Sequence, residues 1–233
     1  MPKRSQYASI GGVFFWGDVM RKILLMCALI CAPFWAAAQE TVSLAVGTDF
    51  TIYPTARPTT ATPDRVEIVY FFWYGSPWAR EIDRELRVWA KTRPYSVKLL
   101  PAPVIFNARH EVFGARVFFA LDLLGKEEEI SPLLLEAVSQ KQLDFNSVPA
   151  VIQWMEQRGI PKKQFLDALD DPRTKAHTVH VKDVMKTYGV QSVPTVVING
   201  KYNVRASNKV SPQRVLQVVK ILTQRVSEVS QKR

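Results

Sequence analysis

One stretch, residues 66–79, constrains the fold more than any other part of the chain. It consists of Val-Glu-Ile-Val-Tyr-Phe-Phe-Trp-Tyr-Gly-Ser-Pro-Trp-Ala. β-branched and aromatic residues fill most of its first eight positions with almost no alternation of polarity, which is typical of a strand buried on both faces. Gly75 then interrupts the run, Ser76 suits a helix N-cap, and Pro77 suits the first helical position. The sequence therefore predicts a central strand that leads directly into a helix.

Strand signals also occur before and after this segment. Residues 41–53 favour a short edge strand, and residues 54–63, rich in proline and threonine, favour an extended connection. Residues 97–100 predict a second strand, which we expect Pro101 and Pro103 to end. Later in the chain, a β-branched strand after Pro194 leads into Asn199-Gly200, a two-residue hairpin signal.

The segment between these strands has helical character. Residues 108–172 contain a predicted helix start at Ser131-Pro132, an N-cap at Ser147 and a helix stop at Gly159. Residues 175–188 predict a further helix that ends at Gly189. Ser211-Pro212 is expected to open the last helix, whose apolar residues recur at helical spacing.

The wording Phe71-Phe72-Trp73-Tyr74-Gly75 followed by Pro77 resembles the active-site segment of DsbA-like proteins in the thioredoxin superfamily. The resemblance covers nearly all of the chain. It implies an α/β class, with a thioredoxin-like fold that contains an inserted helical domain. On this basis we expect an N-terminal extension and signal peptide at 1–38, a first thioredoxin-like part at 39–107, the helical insertion at 108–172, and a second thioredoxin-like part at 173–233.

The resemblance also implies where the chemistry of the family is missing. The family has cysteines at the positions of Ser76 and Ala79, an acidic residue at that of Tyr70, and often histidine at that of Trp78. The motif is therefore degenerate, Ser76-Pro77-Trp78-Ala79, and no catalytic residue or dithiol redox activity is expected.

A nucleophilic role for Ser76 is unfavourable on energetic grounds. A serine hydroxyl is about as weakly acidic as water, so ionising it at neutral pH requires roughly 11 kcal/mol, whereas a helix N-terminus supplies at most about 2 kcal/mol. The three histidines, His110, His177 and His180, all lie outside the motif. We therefore interpret Ser76 as an N-cap.

His177, His180 and Asp183 are spaced three residues apart and could share a helix face, which is one arrangement for a metal site. Three evenly spaced polar residues are more often the solvated face of a helix, so this interpretation is favoured. No metal and no cofactor are expected.

The sequence still matches the family at the loop that faces the substrate. Val193-Pro194 matches the loop whose cis-proline lies opposite the active site and beside which an extended peptide binds. Tyr74 and Trp78 are expected to line the same peptide-binding groove as Val193 and Pro194. The alternatives are a proline that only begins a strand and aromatic residues that belong to the core, the latter especially for Trp73.

The N-terminus carries a secretory pattern. Arg21 and Lys22 precede the apolar residues 23–38, which end in three alanines and contain both cysteines, Cys27 and Cys31. Cleavage after Ala38 is expected to release a cysteine-free protein into the periplasm with no stable membrane insertion. The start codon is either Met1 or Met20.

Charge and composition limit the partners. The formal net charge is +10, and 27 basic and 20 acidic residues remain after the predicted cleavage. Basic residues are spread along the chain rather than clustered with aromatics, so a nucleic-acid partner is not expected. The favoured function is a periplasmic chaperone or adaptor that binds extended or unfolded polypeptides or a partner protein. The alternative is thiol:disulfide interchange, or a glutathione-dependent transferase-like activity with an external thiol, although no local arginine or glutamate pattern marks a glutathione site.

Overall fold

The computed structural model describes residues 43–62, 64–93, 96–106 and 109–230. The predicted signal peptide lies outside these residues. The described chain contains five strands: Thr51–Ile52 (β1), Val66–Phe72 (β2), Val97–Pro103 (β3), Thr195–Ile198 (β4) and Tyr202–Arg205 (β5). It also contains the helices Pro77–Lys91 (α1), Arg109–Leu123 (α2), Glu127–Ser139 (α3), Val148–Glu156 (α4), Lys162–Asp170 (α5), Pro172–Tyr188 (α6) and Pro212–Ser230 (α7).

The strands form one mixed sheet in the order β1-β5-β4-β2-β3. β2 pairs in parallel with β3 and antiparallel with β4, and every residue of β2 is buried. The predicted central strand and the α/β architecture with helices inserted between β3 and β4 are confirmed. The exact domain boundaries at 107–108 and 172–173 remain predictions.

Both faces of the sheet are covered, as the apolar sequence of β2 predicts. The side chains of Ile68, Tyr70 and Phe72 join a core that includes residues of α1, α7 and the inserted helices. Val69 and Phe71 point to the other face and pack with residues of α2 and α6. The structure therefore buries the strand that leads into the Ser76 turn between two apolar layers.

β3 continues through both prolines that were expected to end it. The Val66 N–H donates to the Ser96 carbonyl (3.0 Å) and the Val104 N–H donates to the Phe72 carbonyl (2.8 Å), so the even-numbered positions face β2. Pro101 and Pro103 occupy odd-numbered positions, which face away from the sheet. Because no ladder hydrogen bond is needed there, proline does not interrupt this edge strand.

Helix ends follow most of the local signals. The Ser147 hydroxyl accepts the Ala150 N–H (3.3 Å), and Gly189 closes α6 with a left-handed φ of 59°. The predicted start at Ser131-Pro132 is wrong, because α3 begins at Glu127 and contains Pro132 in its interior. Three glutamates in the first turn, which complement the helix dipole, favour the earlier start.

Two strand predictions are only partly correct. The edge strand expected at 41–53 is limited to Thr51–Ile52, which pairs with β5. The hairpin loop contains Asn199 and Gly200, both at positive φ, but it has a third residue, because Ile198 pairs with Tyr202. In the described part of the chain, no helix is long and apolar enough to cross a membrane.

Candidate functional site

Ser76 begins α1 as its N-cap. Its backbone is extended (φ −86°, ψ 111°), and its hydroxyl oxygen accepts the Ala79 N–H at 3.2 Å. Its carbonyl accepts the Arg80 N–H (3.1 Å), and the residue is only 6% exposed. The N-cap interpretation is confirmed, and the hydroxyl is engaged in the helix rather than directed at a base.

Gly75 is required by the close approach of an aromatic ring. A Cβ atom at this position would lie 2.3–2.7 Å from three atoms of the Trp73 indole. β2 ends at Phe72, so Trp73 lies just outside the strand, where it is half-buried. The indole therefore lies against the turn that precedes Ser76.

Tyr70 connects the central strand to the first turn of α1. Its hydroxyl donates to the Ala79 carbonyl (3.1 Å), and its ring stacks on Phe72 with centroids 5.5 Å apart. The side chain is fully buried, and this burial raises the pKa of Tyr70 well above its usual value. Tyr70 therefore stays neutral and provides a structural hydrogen bond at this position.

Tyr74 belongs to the core, which corrects the prediction that it contacts a peptide. It is 1% exposed, and its ring packs against Phe72 and Phe145 with centroids 5.2 and 5.6 Å away. Its hydroxyl shares a 2.5 Å hydrogen bond with Ser131 of α3. The apolar run in the sequence could not reveal which of its aromatic residues faces the inserted helices.

The Val193-Pro194 peptide bond is cis, as predicted. β4 begins directly after it, and Thr195 lies opposite Phe71 in the antiparallel register. Pro194 is therefore at the end of the sheet at which β2 ends. Pro194 is buried and Val193 is half-buried, so Val193 presents the accessible part of this pair. The opposition of Pro194 and Ser76 across a groove stays a prediction.

Two exposed aromatic residues follow the adjacent parallel strands β2 and β3. Trp78 is 38% exposed in the first turn of α1, and Phe106 is 37% exposed after β3. Because parallel strands have their carboxyl ends at one sheet edge, both residues follow the same end of the sheet. Sequence reasoning missed Phe106, although its place after the second parallel strand is a usable signal.

A buried ion network begins about two turns beyond Ser76 along α1. The Arg87 guanidinium contacts the Asp83 carboxylate (3.0 Å) in α1 and the Glu127 carboxylate (2.8 Å) in α3. The three side chains are 11%, 3% and 10% exposed, respectively. Burial raises the pKa of Asp83 against the opposing effect of Arg87. The network, which sequence reasoning missed, connects the motif helix to the insertion.

The possible metal ligands remain on a solvated helix face. His177, His180 and Asp183 are all exposed on α6, and the His177 ring stacks on Phe119 with centroids 5.4 Å apart. Within the described ranges, no group of three histidine, cysteine or acidic residues is placed to hold a metal ion.

Comparison with known sequences gives a consistent set of relatives. No protein-family model matches the chain. The thiol:disulfide interchange protein DsbA of Burkholderia cepacia is 27% identical over 211 residues, which are 90% of this chain and 99% of the relative. DsbA of Pseudomonas syringae pv. tomato is 26% identical over 200 residues, which are 85% of this chain and 92% of the relative.

Comparison with solved structures supports the same fold. The crystal structure of Pseudomonas aeruginosa DsbA superimposes with a TM-score of 0.71 at 23% identity, covering 82% of this chain and 97% of that one. The seven helices of the described residues and the mixed sheet fit this architecture. Together, the relatives, which the chain matches over nearly their whole length, and the shared fold show that the chain is DsbA-like in sequence and has a thioredoxin-like fold.

Proposed function

We propose that this is an exported, periplasmic DsbA-like protein that binds extended polypeptides or a partner protein as a chaperone or adaptor, without dithiol exchange of its own. The observation that carries the proposal is the composition of the motif turn. The helix begins with Ser76-Pro77-Trp78-Ala79, and the only cysteines of the chain are Cys27 and Cys31, both within the predicted signal peptide.

The absence of thiols at the motif has a direct chemical consequence. In disulfide exchange, a thiolate attacks one sulfur of a disulfide, forms a mixed disulfide, and displaces the other sulfur as a thiolate. The Ser76 hydroxyl is an N-cap acceptor, and Ala79 carries only a methyl group. Neither side chain can accept or supply the two electrons of the exchange.

Peptide binding is supported by the accessible groups at the same end of the sheet. Trp78 and Phe106 expose aromatic surface there, and Val193 is half-buried beside the cis bond. Aromatic side chains bury large apolar areas in contact with a partner at a small cost in conformational entropy. This combination suits an extended segment with apolar side chains.

Direct binding measurements test the proposal. A fluorescein-labelled, reduced and carboxymethylated client protein is titrated with the wild type, Trp78→Ala and Phe106→Ala, and fluorescence anisotropy is recorded. We expect each variant to weaken binding about five- to tenfold, as for an aromatic contact worth about 1–1.4 kcal/mol. Val179→Ala, which removes a 67% exposed apolar residue from α6, is the matched control. Equal affinities for all four proteins would contradict the proposal.

The names of the relatives favour a second candidate, thiol:disulfide interchange with an external thiol such as glutathione. In that case glutathione supplies the electrons, and the protein positions the mixed disulfide. Insulin reduction with and without glutathione distinguishes the candidates. Acceleration above the glutathione-only rate supports the second candidate, and no acceleration supports the binding protein.

A further inference from the structure

A groove separate from the Ser76 turn lies along the outer side of β3. It has a volume of about 1230 Å³ and is lined by α1, β3, α2 and α3. Its rim includes Val88 and Leu133, which are 56% and 50% exposed. Trp78, Val193 and Pro194 do not line it. The groove therefore lies apart from the Ser76 end of the sheet, although its lining includes the Asp83–Arg87–Glu127 ion network.

The floor of the groove contains a free strand edge. β3 is the last strand of the sheet, and its odd-numbered positions face away from β2. The outward backbone groups of Val97 and Leu99 have no hydrogen-bond partner among the described residues, and both residues are half-buried. Unpaired edge groups of this kind form hydrogen bonds with an added strand.

The prolines restrict how much of this edge is available. Pro101 and Pro103 occupy the next two outward positions and have no N–H to donate. An added strand therefore finds two N–H donors, at Val97 and Leu99, and the carbonyl of Pro101 as a further acceptor. This arrangement favours a short extended segment over a long strand.

Most of the carboxylates that line the groove form ion pairs, whereas some of its cations do not. Four carboxylates that line it, those of Asp83, Glu127, Glu128 and Glu136, form ion pairs with cations of α1. Arg84 forms no ion pair within the described residues, and Lys98 donates only to the carbonyl and hydroxyl of Thr60. On the acidic side, Asp122 has no cation partner in the same part of the chain. Of the lining residues without an ion-pair partner in the described ranges, Arg65, Arg84 and Lys98 are positive and Asp122 is negative, so the unpaired charge of the groove is net positive.

We propose that this groove binds a short, acidic, extended polypeptide segment that adds as a strand beside Val97 and Leu99. Backbone pairing to β3 supplies the register, and carboxylates of the segment pair with Arg84 and Lys98. Alternate side chains of the segment contact the apolar rim at Val88 and Leu133. The inference goes beyond the proposed function, because the groove contains none of the residues assigned to the Ser76 end of the sheet.

A pair of proline substitutions tests the strand pairing. The probe is a fluorescein-labelled hexapeptide of alternating glutamate and valine, titrated against the full chain by anisotropy. Leu99→Pro removes an outward donor and is expected to weaken binding at least fivefold, whereas Pro101→Val adds a donor and is expected to strengthen it. Leu99→Ala keeps the N–H and controls for lost packing, so an equal loss in Leu99→Ala and Leu99→Pro would overturn the pairing.

Charge and occupancy are tested with the same probe. Arg84→Glu is expected to weaken binding severalfold, and a hexapeptide of alternating lysine and valine is expected to bind at least fivefold more weakly. Amide hydrogen exchange at Val97 and Leu99 should slow on adding the acidic peptide. Equal affinities for the acidic and the basic peptide would overturn the proposal. So would a dimer, detected by sedimentation, in which the Val97 and Leu99 amides are protected without any peptide. Val179→Ala, an exposed apolar substitution on α6 outside both the groove and the Ser76 end of the sheet, should leave this binding unchanged.

Discussion

At the start of α1, Ser76 and Ala79 present a capping hydroxyl and a methyl group, whereas Asp83 and Arg87 in the next turns form a buried ion network with Glu127. The two regions belong to the same helix, but the first turn carries no charged side chain in its capping motif and the later turns carry a buried ion network. The first turn keeps the cap, the proline and the burial that define its backbone. The later turns concentrate charge where α1 meets the inserted helices. Local capping and packing therefore set the backbone geometry of the first turn, whereas the charged groups of α1 lie further along the helix.

The sharpest test of this comparison is to restore thiols to the first turn. The double variant Ser76→Cys, Ala79→Cys is expected to change activity from none to measurable disulfide exchange in insulin reduction and in refolding of a reduced client. The helix N-terminus favours a thiolate at position 76, and Pro77 is already in place. Tyr70, which stays neutral, is expected to keep this activity modest.

The single variants Ser76→Cys and Ala79→Cys are the controls for the double variant. Each has one thiol in the turn and should form no intramolecular disulfide there. If the double variant also forms none, as measured by thiol labelling with and without reductant, then the turn does not place the two side chains within bonding distance.

Removing the shared cation of the ion network should have the largest effect on stability. Arg87→Ala leaves two buried carboxylates without their partner, and we expect the free energy of unfolding to fall by about 3–5 kcal/mol. Urea denaturation measures the change. Arg84→Ala, on the exposed side of the same helix, should change stability by less than about 0.5 kcal/mol. Similar losses in both variants would show that the network contributes no more than a surface residue.

The pH dependence of stability reports on Asp83 within this network. Its pKa is raised above the ordinary value of 3.8. The folded state therefore binds more protons than the unfolded state at pH values from about 3.8 up to the raised pKa of Asp83. Stability should fall as pH rises through this window, by at most about 1.4 kcal/mol per pH unit. The Asp83→Asn variant should lack this fall in stability. If the stability of the wild type relative to the variant instead rises with pH, the attraction of Arg87 has a larger effect on the Asp83 pKa than burial has.

The smallest effect is expected at the cap itself. Ser76→Ala removes the oxygen that accepts the Ala79 N–H and should lower the free energy of unfolding by about 1 kcal/mol. Ser147→Ala, which removes the equivalent cap of α4, provides a matched comparison within the same protein. A much larger loss at Ser76 than at Ser147 would indicate that the turn depends on this hydroxyl for more than capping.

Local signals in the sequence predicted the parts of the fold that depend on neighbouring residues. The central strand, the caps at Ser76 and Ser147, and the left-handed Gly189 are all determined within a few positions of the chain. Apart from the helix start placed at Ser131, where a local signal from three glutamates was overlooked, the errors occurred where the tertiary environment decides. Pro101 is compatible with β3 only because its position faces outward, which depends on the pairing with β2.

The same distinction applies to the candidate site. The cis bond before Pro194 was predicted from its family resemblance, and the N-cap from its sequence position. The hydrogen bond from Tyr74 to Ser131 and the link from Arg87 to Glu127 depend on α3, and these partners are 57 and 40 residues apart in the chain. No local pattern in the motif identifies those partners.

The threonine-rich connection before β2 contacts both the strand that follows it and the β4–β5 hairpin, which is distant in the chain. Thr60 donates both its N–H and its hydroxyl to the buried Glu67 carboxylate (both 2.7 Å), and Arg57 donates its N–H to the Gly200 carbonyl (2.8 Å). A Cβ atom on Gly200 would lie 2.2 Å from the Arg57 carbonyl oxygen. Because these contacts need both β2 and the β4–β5 hairpin, the connection should dock last in folding and open first in the native state. Amide exchange at Arg57 that is much faster than at Val197 in native conditions would show that the connection opens first, and equal exchange would contradict it.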